Sequence, residues 1–211
     1  ISRAGNHLKI YSLIRRMRNE VLDINNAGDA RTIVEGCVKN DRKYQQILYK
    51  QTFTKVMGAC LRYSSNYDEA MDFVQDGYLK VFENIGSYKP SGSLTSWVKR
   101  IVVNNLIDSL RKASKVHFSD IDDMQLEGAD DSDAELERIA AKEKNAGRIV
   151  ELLQDLSPAY RTVFNMYVVE DLSHNEIADR LGISVGTSKS NLAKAKMRLK
   201  QMFIDKYGEN E

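Results

Sequence analysis

Apolar and small residues in this chain recur at threes and fours, seldom at twos. The clearest run lies near the C-terminus, where Val185, Ser188, Leu192, Ala195, Leu199 and Met202 alternate between those spacings. That period predicts a helix burying one narrow stripe. At 100° per residue Thr187, Ser190, Asn191, Lys194 and Arg198 fall on the other side, flanked by Lys189 and Lys196. Just upstream, Ser173 and Glu176 form the S-x-x-E pattern of a capping box. Ile177, Ala178 and Leu181 then make a short apolar face, Gly182 suits a left-handed helix end, and Ser184 can cap the next helix. Two helices joined by a turn of three to four residues containing Gly are the signature of a helix-turn-helix, whose second helix enters the DNA major groove.

The same period predicts helices over about 29–39, 41–64, 67–86 and 93–113, the last two separated by a Gly-, Pro- and Ser-rich loop at 85–93. Ser157 and Pro158 mark one more helix start. The fold class expected is all-α. On the 93–112 helix, Val98, Val102, Leu106 and Ser109 face inward, while Trp97, Arg100, Asn104, Asp108 and Arg111 share another stripe. A ring beside guanidinium and amide groups suits stacking and holding of unpaired bases, and the loop from Tyr88 through Lys89 to Ser93 offers a pocket wall. The alternative for Trp97 is plain core packing. On the 68–85 segment, Ala70, Val74, Val81 and Ile85 make an apolar side, and Asp72, Gln75 and Asp76 face mostly elsewhere, as ordinary solvated groups.

Charge changes the picture of organisation. The sum over 211 residues is only +1, yet residues 118–137 carry nine carboxylates and no Lys or Arg. Such a stretch repels itself and reads as a linker. The chain then divides into an N-terminal extension (1–28), a helical domain (29–113), an acidic linker (114–137) and a helix-turn-helix domain (138–206). The linker is expected to avoid DNA and to suit a basic channel of a partner.

Candidate chemistry is sparse. Cys37 and Cys60 form no CxxC, and His7, His117 and His174 are scattered. No catalytic group, metal site or cofactor is expected, and the cysteine usage suggests a reducing compartment. No run approaches the roughly 20 apolar residues of a membrane span, and no signal peptide is visible. The expected location is the cytoplasm.

Two stretches carry a family resemblance. "DFVQDGYLKVF" with "SYKPSGSLTSWVKRIVVNNLIDSLRK" resembles region 2 of bacterial sigma factors, and "LSPAYRTVFNMYVVEDLSHNEIADRLGISVGTSKSNLAKAKMRLK" resembles their region 4. Order and short linker are similar to the extracytoplasmic-function (ECF) subfamily of the sigma-70 superfamily. The resemblance implies a chain that binds core RNA polymerase, recognises −35 and −10 promoter elements and opens the latter. Asp72, Gln75 and Asp76 then fall on the polymerase-contacting helix. Tyr88, Lys89, Ser93, Trp97, Arg100, Asn104 and Arg111 fall where the melted −10 strand binds. Thr187, Ser188, Lys189, Ser190, Asn191, Lys194 and Arg198 fall on the helix facing duplex −35 DNA. Several relatives carry Arg where this chain has Lys189 and Lys194, and a point charge favours phosphate contact over bidentate base reading. An anti-sigma protein, and an extra partner for residues 1–28, are left open.

Two rival readings exist. One is a two-domain helix-turn-helix regulator that binds duplex operator DNA without polymerase core. The other, a helical enzyme or nuclease, lacks a carboxylate–His cluster, a phosphate loop or metal-ligand spacing.

Overall fold

The computed structural model describes residues 22–113 and 146–208, and the acidic linker lies outside them. Eight α-helices make up the described residues, with no strand among them. The first group is α1 (Ala27–Val38), α2 (Arg42–Leu61), α3 (Tyr67–Asn84) and α4 (Leu94–Ala113), with a 3₁₀ turn, Ile85–Ser87, after α3. The second is α5 (Ala146–Gln154), α6 (Pro158–Phe164), α7 (His174–Leu181) and α8 (Val185–Tyr207).

Local chemistry starts most of these helices. The side chains of Asn26, Asp41, Asn66, Ser157, Ser173 and Ser184 each accept from a backbone N–H of the turn that follows. Such a cap satisfies one of the four amides a helix start leaves without a partner. The expected Ser173–Glu176 capping box forms reciprocally, and Gly182 closes α7 at φ 70°.

The first group closes around Leu48, Val56, Val74, Val98, Val102 and Leu106, all fully buried. Helices α3 and α4 approach so closely at Gly77 that a Cβ there would lie 2.5 Å from Val102 Cγ1. Thr52 Oγ1 and Tyr78 Oη share a buried hydrogen bond of 2.6 Å. The packing takes in residues upstream of α1. Ile24 is buried, its N–H donates to Gln51 Oε1 at 2.8 Å, and Gln51 Nε2 donates to the Leu22 carbonyl. Cys37 and Cys60 are both buried in this core as free thiols. Burial pushes them up to about 11 and about 12 respectively.

In the second group α8 lies against α5 and α6, burying Leu192, Ala195, Leu199 and Phe203, and α7 crosses its start. Helix α6 runs into a π-helical turn, Asn165–Val169, that ends with Asp171 at φ 56°. That turn leaves Tyr167, Val168 and Val169 exposed. Buried apolar side chains of both groups join in one cluster.

The groups meet through polar contacts centred on Arg161, which is 2% exposed. Its Nη1 donates to the Tyr63 carbonyl at 3.2 Å, and its Nη2 to Ser65 Oγ at 3.0 Å. The same nitrogen also donates to the carbonyls of Leu156 at 2.8 Å and Gln154 at 3.3 Å. Asn165 Nδ2 donates to the Arg62 carbonyl at 2.6 Å. Lys99 Nζ lies 3.3 Å from Glu170 Oε1.

Candidate nucleic-acid interface

The loop after α3 and the start of α4 form a cleft. Tyr88, Lys89, Ser91, Gly92, Ser93, Ser96, Trp97 and Arg100 enclose about 310 Å³. The Tyr88 hydroxyl donates to the Gly92 carbonyl at 2.6 Å and pins the loop. Its ring meets Trp97 edge-on, with centroids 5.7 Å apart. Trp97 is half-buried and also packs on the core, so core packing and cleft lining coexist in one ring. Arg100 is exposed at the mouth. The structure thus brings five of the seven expected −10 residues around one concave surface. The dimensions suit a planar base between an aromatic wall and a cation.

Asn104 and Arg111 lie further along α4 and line a second cleft of about 450 Å³ with Ile107, Asp108, Asp179 and Arg180. Arg180, on α7, donates to Asn104 Oδ1 at 3.4 Å. Arg111 pairs with Asp108 at 3.3 Å, one turn away. A third cleft of about 420 Å³ lies on the other side of the Tyr88 loop, against α1, with Arg31 and Glu35 at its rim.

On α3, Asp72, Gln75 and Asp76 are exposed, as expected. Sequence reasoning missed Leu79, which is 62% exposed. At 100° per residue it sits in the middle of the stripe made by Asp72, Gln75, Asp76 and Glu83. An apolar residue centred on a polar face was the available signal. It gives that face the mixed character of a partner-binding surface.

The expected DNA-facing side of α8 needs correction. Ser188 is 0% exposed, and Asn191 and Lys194 are each 8% exposed. The buried arc runs from Lys194 through Ser188 to Phe203, about half the helix circumference. The stripe read from apolar and small residues held Ser188 but missed Asn191 and Lys194. Ser188 Oγ meets His174 Nδ1 at 2.9 Å and ties α7 to α8. Thr187 is half-buried, and its side chain meets the Ser184 cap at 2.8 Å. Ser190 and Arg198 are half-buried, and Lys189 is exposed.

His174 belongs to a cluster that sequence reasoning left scattered. Its ring stacks on Tyr167 at 4.7 Å, and Lys196 lies over the other ring at 5.9 Å. Burial, then the charges of Lys189 and Lys196, hold its imidazole below the ordinary histidine range. The ring is therefore neutral near pH 7 and can share a hydrogen bond with Ser188. No group of His, Cys, Asp and Glu among the described residues is arranged to hold a metal ion.

Residues 48–116 match the family model for sigma-70 region 2, and residues 146–199 match that for sigma-70 region 4. The chain is 26% identical over 154 residues to the ECF RNA polymerase sigma factor SigE of Mycolicibacterium smegmatis, covering 72% of this chain but only 59% of that protein. It is 28% identical over 159 residues to the ECF RNA polymerase sigma factor SigW of Bacillus subtilis, covering 72% and 84%. Among solved structures it is similar to the sigma factor RpoE in complex with the anti-sigma factor NepR from Bartonella quintana. There the TM-score is 0.42 at 22% identity, covering 74% of this chain and 93% of that one. It is also similar to CnrH in complex with the cytosolic domain of CnrY, with a TM-score of 0.40 at 17% identity, covering 83% and 97%.

Proposed function

Because the chain belongs to the sigma-70 family, in its extracytoplasmic-function subfamily, we propose that it binds core RNA polymerase and directs it to promoters. The observation that carries this reading is the order of the two matches, region 2 and then region 4, along one chain. In this reading the exposed α3 stripe of Asp72, Gln75, Asp76 and Leu79 docks on the polymerase. The Tyr88–Trp97–Arg100 cleft takes an unpaired base of the −10 element. Stacking there offsets the few kcal/mol that unstacking a base costs, and Asn104 and Arg111 extend the track along α4. Helix α8 reads the −35 duplex from its N-terminal end. Lys189 contacts phosphate there, and Thr187, Ser190 and Arg198 line the approach. The domain boundaries at 29–113 and 138–206 belong to the same proposal, with the packed residues from Leu22 joining the first domain.

The chain supplies no reacting group in this scheme; bond formation belongs to the polymerase. No helix among the described residues is long and apolar enough to cross a membrane, and the proposed place of action is with the polymerase in the cytoplasm. An anti-sigma protein would act by covering the α3 stripe or the DNA-facing residues.

The test is reconstitution. Core polymerase, with and without the chain, transcribes a library of genomic fragments in vitro. The expected result is initiation at a discrete set of sites only with the chain present, and co-elution of chain and core. Tight binding to duplex fragments without core, and no gain in initiation, would establish the operator-binding regulator instead.

A further inference from the structure

We propose that His174, Lys189 and Lys196 form one phosphate-binding site for the DNA backbone, and that a proton from solvent joins His174 as the phosphate docks. The proposal rests on the proposed sigma function, in which the helix-turn-helix meets duplex DNA, and it adds a group that makes that contact depend on pH.

Three elements meet at the His174 ring. His174 is the first residue of α7, set in place by the capping box that starts the helix. Its Nδ1 lies 2.9 Å from Ser188 Oγ, in the first turn of α8. Its ring lies on that of Tyr167, in the π-helical turn, with centroids 4.7 Å apart and planes 25° from parallel. Ser188 is fully buried and the imidazole is half-buried, so the ring is clamped between the two helices and the turn before them.

Positive charge gathers beside this ring. Lys189 and Lys196 are seven residues apart on α8, which puts them within about 20° of one helix face. The Lys196 ammonium stands 5.9 Å from the centre of the Tyr167 ring, on which His174 also lies. The amide end of α7, which begins at His174, adds positive potential at the same place. Carboxylates nearby in the sequence are engaged elsewhere. Glu176, two residues on in α7, accepts from the Ser173 N–H at 2.9 Å and from its hydroxyl at 2.8 Å. Glu170, which follows the π-helical turn, lies 3.3 Å from Lys99. Tyr167 presents a ring face and Ser188 a hydroxyl. Among the described residues the charges that act on the imidazole are those of Lys189 and Lys196, and both add to burial in opposing a proton there.

A neutral imidazole beside two ammonium groups is a poor place for a third positive charge and a good one for a phosphodiester. A phosphate docked on Lys189 and Lys196 reverses the local field, and protonation of the ring becomes favourable. Imidazolium donates from both nitrogens. Nδ1–H then donates to Ser188 Oγ, and Nε2–H is available to a phosphate oxygen. The Ser188 hydroxyl can act as donor or acceptor, so the tie between α7 and α8 survives the change. By reciprocity, if DNA raises the proton affinity of His174, protons raise DNA affinity by the same factor. An upward shift of one pKa unit corresponds to about tenfold.

The test uses the full chain and a mixed-sequence duplex. Histidine ring resonances are followed by NMR from about pH 5.5 to pH 8, free and with saturating duplex, with His7→Gln and His117→Gln assigning the His174 signal by elimination. His174 should titrate about one unit higher with duplex bound. Lys189→Met with Lys196→Met should raise its titration in the free chain and abolish the shift on adding duplex. In parallel, duplex affinity is measured by fluorescence anisotropy at several salt concentrations. Relative to His174→Gln, the wild type should gain several-fold in affinity from pH 8 to pH 5.5, towards the tenfold limit. Its salt slope should steepen by up to about 0.9, one further phosphate contact. A His174 titration that stays in place while duplex saturates the chain would overturn the site and leave the ring as packing between α7 and α8. So would a pH profile shared by wild type and His174→Gln. Absence of duplex binding at every pH would overturn the site together with the DNA-facing reading of α8. Proton-linked duplex binding in a chain that fails to co-elute with core polymerase would sink the sigma reading and leave the site standing.

Discussion

At the scale of single residues, the side chains that matter most are those whose surroundings contradict their usual habit. His174 is half-buried between Tyr167 and Ser188, with Lys189 and Lys196 nearby, and its protonation is disfavoured. Its folded value lies below the ordinary 6.5, so the unfolded chain binds the proton more readily. By linkage, stability then rises with pH across that range and is lost as pH falls through 6.5 and below. Thermal unfolding followed by circular dichroism should show Tm dropping from pH 7.5 to pH 5.5, and His174→Asn should flatten that drop. An unchanged slope in the variant would place the titration elsewhere. The sequence placed His174 correctly at a helix start but offered no hint of Ser188 as its partner. Likewise Asn191 and Lys194 looked solvent-facing because a helical wheel sorts residues by polarity, whereas a wide contact surface buries whatever lies within its arc.

At the scale of elements, chain patterning was most informative. Capping chemistry is local, so Ser157, Ser173, Gly182 and Ser184 could be read without any knowledge of the fold. Close crossings were less legible, since a glycine inside a helix does not announce its neighbour. Gly77 is such a case. Gly77→Ala would press a methyl into three side-chain atoms of Val102 at 2.5–2.9 Å. Overpacking of this kind costs about 1–3 kcal/mol, against a smaller gain in helix propensity. Urea denaturation should report that loss, and adding Val102→Ala should recover part of it. No loss in the single variant would mean that α3 and α4 separate freely. The exposed stripe of α3 makes a different prediction. Leu79→Asp should leave the urea midpoint unchanged, because Leu79 contributes little to the core, yet weaken core polymerase binding at least about tenfold, the scale of a buried interface anchor. Equal affinity in competition with wild type would remove Leu79 from the docking surface.

At the scale of the whole molecule, the chain folds as two helical groups that share one apolar cluster and one buried arginine. None of that junction was legible beforehand. The first-group partners of Arg161 are a backbone carbonyl 98 positions away and a serine hydroxyl 96 positions away, and a carbonyl carries no sequence signature. The acidic stretch suggested separation, and separation is what a linker permits rather than what it enforces. Shared packing predicts cooperative unfolding. Calorimetry of the wild type should give one transition, and Arg161→Met should split it into two. A wild type that already melts in two steps would mean that the groups are energetically independent.

The two deeply buried thiols have a chemical consequence. Thiolates, not thiols, react with peroxides, disulfides and alkylating agents. With Cys37 and Cys60 raised to about 11 and about 12, only about one molecule in ten thousand or fewer would carry a thiolate at neutral pH. Oxidants that act through thiolates therefore bypass Cys37 and Cys60 while the first helical core stays folded. Conversely, the rate at which iodoacetamide modifies Cys37 and Cys60 becomes a clock for opening of the first helical core.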